Sequence, residues 1–492
     1  MGRTARVALL LFVVTLLTRL PFQTEHLWAH DSVLYERAVE RFDPFEQRPQ
    51  APGYLYYVLL IRAIDALTGD ANRAMTLISL VADAAAVALL YLLARRLYDE
   101  RTGLIAALFL MSAVTFWAYA GVAYPYTLLA ALSIACALAL WRAATATRGR
   151  APALVVASAV IGVAIGFRSD LAIFLAPLWL VAAWGTPVIG WIGGVAIGAA
   201  LVALWYAGSA AMDGGVARFA SAVSTQGQYV EDTYSVFGRR GLSALSANAY
   251  EFARYLGRAL YFLAPLLPLA VLSQAGRRIE LADRRRTLFL IAWTATPLLI
   301  YIPIHSGEYG YVFSMLPGLC VIAARGAIAL ARGLRMPRTL PWIVAAVVLA
   351  NGAIFLLSDT PLSAKDVRRH DLGITERYDY LATEPDLDRA TILAAYDAEV
   401  AARYGRGHEV VRHDPADPPI EFTFGSAACA ADVSALQGCA RSPVLAVWDD
   451  LIRVHGDGWQ TVVMPHGALL RVARNATGAR VIVDGLDVTL QR

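Results

Sequence analysis

The chain has 492 residues, of which 58% are hydrophobic and only 17% charged, with a mean hydropathy of +0.52 and a formal net charge of +4. That composition excludes an ordinary soluble globular protein, and the small net charge, with apolar runs recurring up to residue 357, excludes nucleic acid as a partner. Lys365 is the one lysine, so any anion site has to be built from arginine or histidine; arginine suits phosphate and carboxylate because its planar fork binds them bidentately.

The opening ARVALLLFVVTLLTRLPF has a basic start and no small-residue cleavage site before the charged segment that follows, so it reads as a retained membrane helix rather than a cleaved signal. A helix needs about 20 apolar residues to cross the hydrocarbon core, which gives about eleven spans here. They are expected near residues 5–22, 74–94, 104–121, 124–141, 152–167, 171–184, 187–208, 251–274, 287–303, 310–330 and 339–357. Arginine-rich short loops stay on the cytoplasmic side. With Arg3 and Arg6 inside, simple alternation puts ARRLYDERTG, WRAATATRGRAP, AGRRIELADRRR and ARGLRMPR inside as well. The alternation requires a first outer loop over residues 23–73, although this contains PGYLYYVLLIRAIDALTG. That piece is short for a span and carries Arg62 and Asp65, so it suits a helix lying in the interface. A twelfth span there would invert every later loop. The expected fold is a polytopic α-helical protein of the cytoplasmic (inner) membrane, with juxtamembrane helices and a transmembrane domain over residues 1–357.

Four groups of charged residues stand out in chain order. Asp31, in LWAHDSVLYERAVERF, sits where an N-cap is favoured and reads equally as a cap or as a catalytic acid. Glu36, Asp43, Glu46, Arg37, Arg41 and Arg48 share its segment and read mostly as a solvated face. Asp83 is near the middle of a span, where an ionised carboxylate costs about 2.5–3.5 kcal/mol on insertion scales, so it requires a partner, most simply an arginine, or a proton. Arg168 and Asp170, in GFRSD, read as a local ion pair or as ligand-binding groups at an outer turn. His305 and Glu308, in IHSGEYGY beside Tyr309 and Tyr311, fall at another turn that the alternation puts outside, as it does Asp31.

After LLSDTP the composition becomes that of a soluble domain, residues 358–492, with strand-like runs ATILAAY, HEVVRH, SPVLAVW and ARVIVDG. ATILAAYDAEVAARYGRGHEVVRH reads as strand, helix, strand, which implies a small α/β domain, extracytoplasmic by the same alternation. Cys429 and Cys439 there read as a disulfide or as two free thiols. A carboxylate with several arginines at a membrane surface suits sugar transfer from a lipid phosphate. The departing phosphate needs cations more than an acid, and the acceptor hydroxyl needs a base.

The order of AHDSVLYERA, QAPGYLYYVLL, LLYLLARRLYDERTGLIAALFL, AIGFRSD and HSGEYGYVFSMLPGL, covering most of residues 1–357, resembles the bacterial GT-C glycosyltransferases, a group that includes protein O-mannosyltransferases and aminoarabinose transferases. The resemblance implies inverting transfer from a polyprenyl-phosphate sugar donor to a hydroxyl acceptor of the cell envelope (glycan, lipid or protein) on the outer face of the lipid bilayer. It assigns the catalytic acid to Asp31 alone, since His30 and Ser32 flank it where some relatives have adjacent acids. The expected substrate-binding residues are Arg168, Asp170, His305, Glu308, Tyr309 and Tyr57, with Arg168 and His305 standing in for the phosphate-binding lysines of relatives. No cofactor is expected, and a divalent metal is not called for because the acids near Asp31 lack a ligand spacing. Two rival readings are a lipid-linked sugar transporter, which predicts a helix repeat that the sequence does not display, and an outer-face ligase or polymerase of lipid-linked polysaccharide using His305, Arg239 and Arg240.

Overall fold

The structure, a computed structural model, describes residues 2–273, 281–394, 397–405, 407–412, 420–423, 444–448, 452–455, 459–473 and 480–486. It divides into two compact units, Met1–Gln23 with Leu34–Ala364, and Thr24–Val33 with Lys365–Arg492. The stretch expected to be one outer loop, residues 23–73, is therefore split, and its first residues count with the C-terminal part of the chain.

In the first unit, eight helices among the described residues are long and apolar enough to cross a membrane: Arg3–Phe22, Ala71–Leu97, Tyr126–Thr145, Arg150–Phe167, Val188–Met212, Arg284–Ile304, Leu316–Gly333 and Pro337–Leu357. Three expected spans depart from that simple form. The run at 104–121 breaks into Glu100–Ser112 and Val114–Tyr119, because Ala113 has ψ 120, outside the helical region. The run at 251–274 is two helices, Leu242–Leu263 and Leu266–Leu272, bent by 77° where Tyr261 takes φ 34 and Pro265 starts the second piece. Leu171–Ala183 has 13 residues and an internal proline, Pro177, so its length of about 20 Å falls short of the roughly 30 Å hydrocarbon core. The apolar piece in 52–69 forms the helix Leu55–Thr68, 14 residues long and also too short to cross.

The long helix Ala71–Leu97 packs against Arg3–Arg19, Leu55–Thr68, Glu100–Ser112 and Tyr126–Thr145. Asp70 caps it by accepting from the Arg73 backbone N–H at 2.9 Å, and Arg95 and Arg96 lie in its last turn, where positive charge opposes the negative end of the helix dipole. Asp83 is wholly buried within it and has the expected arginine partner, Arg19, whose Nε donates to Oδ2 at 3.1 Å. Arg19 also donates to the Met111 carbonyl and to Thr18 Oγ1, and its guanidinium lies 4.2 Å from the Trp117 ring.

The second unit contains the expected strand, helix and strand: β1 (Thr391–Ala394), the helix Ala398–Tyr404, and β2 (Val410–Arg412), with β1 and β2 parallel. The other strands are β3 (Ile420–Thr423), β4 (Leu445–Val447), β5 (Ile452–His455), β6 (Trp459–Val463), β7 (Leu469–Ala473) and β8 (Arg480–Leu486). One sheet has the order β2-β1-β4-β7-β6, parallel through β4 and antiparallel beyond it; the other is the antiparallel β3-β8-β5. The helix Ala364–Thr383 packs on the first sheet through Tyr378, whose ring lies 4.6 Å from Trp448, and through Arg377, which donates to the Leu469 carbonyl at 2.8 Å. Cys429 and Cys439 lie outside the described residues.

Candidate active site

Arg168 follows the helix Arg150–Phe167 directly, with φ −152 and ψ 109, so its side chain leaves the helix end instead of continuing the helical surface. It is buried, and its Nε donates to Asp170 Oδ2 at 2.9 Å. Tyr301 donates to the same carboxylate oxygen at 3.0 Å. Three more phenol rings surround the guanidinium, those of Tyr126 at 4.7 Å, Tyr311 at 5.5 Å and Tyr54 at 5.9 Å. A cation over aromatic faces is stabilised electrostatically, more so when water is excluded. Its two terminal nitrogens make no hydrogen bond among the described residues, and they are not among the fully buried unpartnered atoms.

The turn 305–311 closes on this cage from the other side. Tyr311 stacks on Tyr301 with centroids 4.6 Å apart and planes at 11°, and His305 packs against Tyr234 at 4.2 Å and Tyr311 at 5.5 Å. Burial lowers the His305 pKa to about 4, so the ring is neutral at pH 7, and its buried Nδ1 has no partner among the described residues. Among the described residues it is therefore an uncharged ring at neutral pH. Glu308 Oε2 accepts from the Tyr309 backbone N–H at 2.9 Å and from the Tyr119 hydroxyl at 2.5 Å. The Tyr119 ring packs on Tyr126, which carries the chain of contacts back to Arg168. Gly310 allows that approach, since a Cβ at this position would come within 2.0 Å of Tyr126 Cγ.

Two cations not singled out from the sequence join at Tyr309. Arg258 donates to its hydroxyl, and Arg254, one helical turn earlier and paired with Glu251, lies 6.0 Å from its ring. Burial, the larger influence, raises the Tyr309 pKa despite these cations, so the phenol keeps its proton at neutral pH. The i, i+4 spacing of Arg254 and Arg258 with Tyr255 between them was the available signal. Tyr57, expected among the substrate-binding residues, is wholly buried, its ring edge-on to Tyr35 at 5.1 Å, and its hydroxyl has no partner among the described residues. Tyr54, at the start of the same helix with φ 46, is the tyrosine of that stretch that reaches Arg168. Arg239 is exposed and pairs at 3.7 Å with Asp232.

Asp31 belongs to the other unit. The helix His30–Glu40 begins one residue before it, so Asp31 is in the first turn and is not the N-cap. A negative charge there is favoured by the helix dipole. The cap region is closed instead by Ser32, whose Oγ accepts from the Ala29 backbone N–H at 3.3 Å. The segment leading into the helix is bound to Ala364–Thr383: Asp371 accepts from the backbone N–H groups of Glu25 and His26, and His370 Nε2 lies 2.8 Å from the Trp28 carbonyl. Among the described residues no three His, Cys, Asp or Glu side chains are grouped to hold a metal ion.

Residues 50–206 match a family model described as dolichyl-phosphate-mannose-protein mannosyltransferase. No curated protein gives a significant sequence match. Among solved structures, ArnT from Cupriavidus metallidurans in the apo state aligns with a TM-score of 0.54 at 12% identity, over 96% of this chain and 97% of that one. The same protein bound to undecaprenyl phosphate gives 0.50 at 14% identity, over 98% and 97%. The Archaeoglobus fulgidus oligosaccharyltransferase, tethered with an acceptor peptide containing the NVT sequon, gives 0.50 at 13% identity, over 82% of this chain and 64% of that one. At these identities the likeness establishes a shared fold.

Proposed function

The chain has the fold of the GT-C glycosyltransferases, and from that premise we propose that it transfers a sugar from a polyprenyl-phosphate donor to a hydroxyl acceptor. The observation that carries the reading is the buried guanidinium of Arg168, held by Asp170 in a cage of tyrosines with its terminal nitrogens making no hydrogen bond among the described residues. Such a cation suits the phosphate of a lipid donor, and one structure of ArnT, which shares the fold, is bound to undecaprenyl phosphate. In this reading the acceptor oxygen attacks the anomeric carbon, and the bond from that carbon to the phosphate oxygen breaks. The electron pair leaves on the polyprenyl phosphate, and the acceptor proton passes to the carboxylate of Asp31. A single displacement of this kind inverts the anomeric centre. Arg168 stabilises the departing anion; Tyr309, kept protonated, and His305, neutral, contribute hydrogen bonds in place of further charge. The arginine pattern of the short loops supports a cytoplasmic membrane location with the chemistry on the outer face.

The test is incubation of membranes containing the protein with radiolabelled undecaprenyl-phosphate mannose, glucose and aminoarabinose, followed by a search for label in protein, glycan and lipid. Label from one donor whose rate of transfer falls sharply in Asp31→Asn supports the reading. No label from any donor, or full transfer by Asp31→Asn, overturns it.

A further inference from the structure

The segment Thr24–Val33 carries Asp31, and within its own unit it is held by side chains remote in sequence. Three consecutive backbone N–H groups, at Glu25, His26 and Leu27, precede the helix and have no helical partner. Asp371 accepts the first at 3.0 Å and the second at 2.9 Å, and the Tyr404 hydroxyl accepts the third at 2.9 Å. The same Asp371 Oδ1 lies 3.1 Å from His26 Nδ1, and the opposite ring nitrogen of His26 meets Thr375 Oγ1 at 2.9 Å. Asp371 and Thr375 are four apart on one helix, so one helical face grips both sides of the imidazole. Next in sequence, Trp28 is fixed by His370 through its carbonyl and through ring contact at 4.3 Å. Leu27 and Trp28 are buried, so the path into the helix His30–Glu40 is fixed a few residues before Asp31.

We propose that Asp371 is the positioning residue for Asp31: by binding two successive amides and the His26 ring, its carboxylate sets where the helix bearing Asp31 begins. This rests on the reading of Asp31 as the base. A carboxylate is suited to the task because it accepts several N–H groups at once through charge-assisted bonds, and general-base catalysis is sensitive to displacements of about 1 Å.

The experiment compares purified full-length protein in proteoliposomes, using whichever labelled undecaprenyl-phosphate sugar the wild type accepts, for Asp31→Asn, Asp371→Ala, Asp371→Asn, Tyr404→Phe and the double variant Asp31→Asn/Asp371→Ala. Asp371→Ala should lower kcat about 100-fold with donor KM changed less than about twofold. Asp371→Asn, which keeps one oxygen acceptor for the amides, should fall between it and the wild type. In the Asp31→Asn background, Asp371→Ala should bring no further loss, because it acts through Asp31. A merely structural contribution would lower both backgrounds by the same factor, and that result, or a kcat for Asp371→Ala within twofold of wild type, overturns the inference. Should Asp371→Ala fail to fold, Tyr404→Phe removes the hydroxyl that accepts the Leu27 amide and should lower kcat about tenfold with an unchanged melting temperature; an unchanged kcat overturns the inference. Full activity in Asp31→Asn overturns the underlying reading, and with it the inference, whereas loss in Asp31→Asn with full activity in Asp371→Ala overturns the inference alone.

Discussion

The pair Arg19–Asp83 offers a quantitative test of how this chain keeps charge inside a membrane-spanning core. Both side chains are buried, joined by one bond of 3.1 Å, and Asp83 Oδ1 has no hydrogen-bond partner among the described residues. Replacing Asp83 by leucine leaves a guanidinium that cannot shed its proton. The Met111 carbonyl, Thr18 Oγ1 and the Trp117 ring remain beside it but carry no compensating charge. Removing one partner of a buried ion pair costs about 3–5 kcal/mol, which for a unit of this size lowers the melting temperature by roughly 5 °C. Arg19→Met should cost less, since a carboxyl group can be neutralised by a proton. The double variant Arg19→Met/Asp83→Leu should recover most of the loss, because a well-packed apolar pair of similar volume removes the desolvation penalty altogether. The assay is thermal unfolding of the purified protein in detergent, run as a double-mutant cycle. Additive effects, with the double variant as unstable as the two single losses combined, would refute the argument that the two charges are present to satisfy each other.

Two predictions concern the tyrosine cage. Arg168→Lys keeps the positive charge but loses the planar stack on Tyr126 and the Nε bond to Asp170; kcat/KM for the labelled donor should fall about 10- to 100-fold, and unchanged kinetics would remove Arg168 from the site. His305 has a pKa lowered to about 4 in the folded protein, so well above pH 7 it is neutral in both states and contributes nothing to pH dependence. As pH falls below about 6.5 the unfolded chain takes up a proton that the folded one refuses, and stability drops by up to about 3 kcal/mol before levelling near pH 4. Melting temperatures from pH 7.5 to 4.5 should fall less steeply for His305→Gln than for wild type; parallel curves would contradict the burial argument.

What could be read from the sequence was local. Run length fixes membrane helices because their backbone groups bond within the segment, and a buried carboxylate such as Asp83 announces that it requires a partner. Arg168 with Asp170, and His305 with Glu308, were visible because each pair lies within one short turn. The partners themselves were not visible: Arg19 is 64 residues from Asp83, and Asp371 is 345 residues from His26. No periodicity encodes such pairings. Tyr54 and Tyr57 sit in one aromatic run, and the helix start at Leu55 decides which ring turns to the core and which to Arg168. The break at Ala113 interrupts an apolar run that has neither proline nor charge at that point, so composition gave no warning of it.

The absence of lysine from the spans changes how a phosphate would be held, not whether it can be. A lysine is a compact point charge on a flexible stem, so a site built from it works by charge and water structure. Arg168 brings a flat ion that lies over the faces of Tyr126 and Tyr311 and commits its Nε to Asp170. Four phenols do what bulk water would otherwise do for the charge, which explains why so many tyrosines converge on one guanidinium and why Gly310 has no side chain where Tyr126 must pass. With His305 neutral and Arg168 permanently charged, neither group changes its charge across the physiological pH range. In the proposed mechanism the carboxylate that must be ionised to act is Asp31.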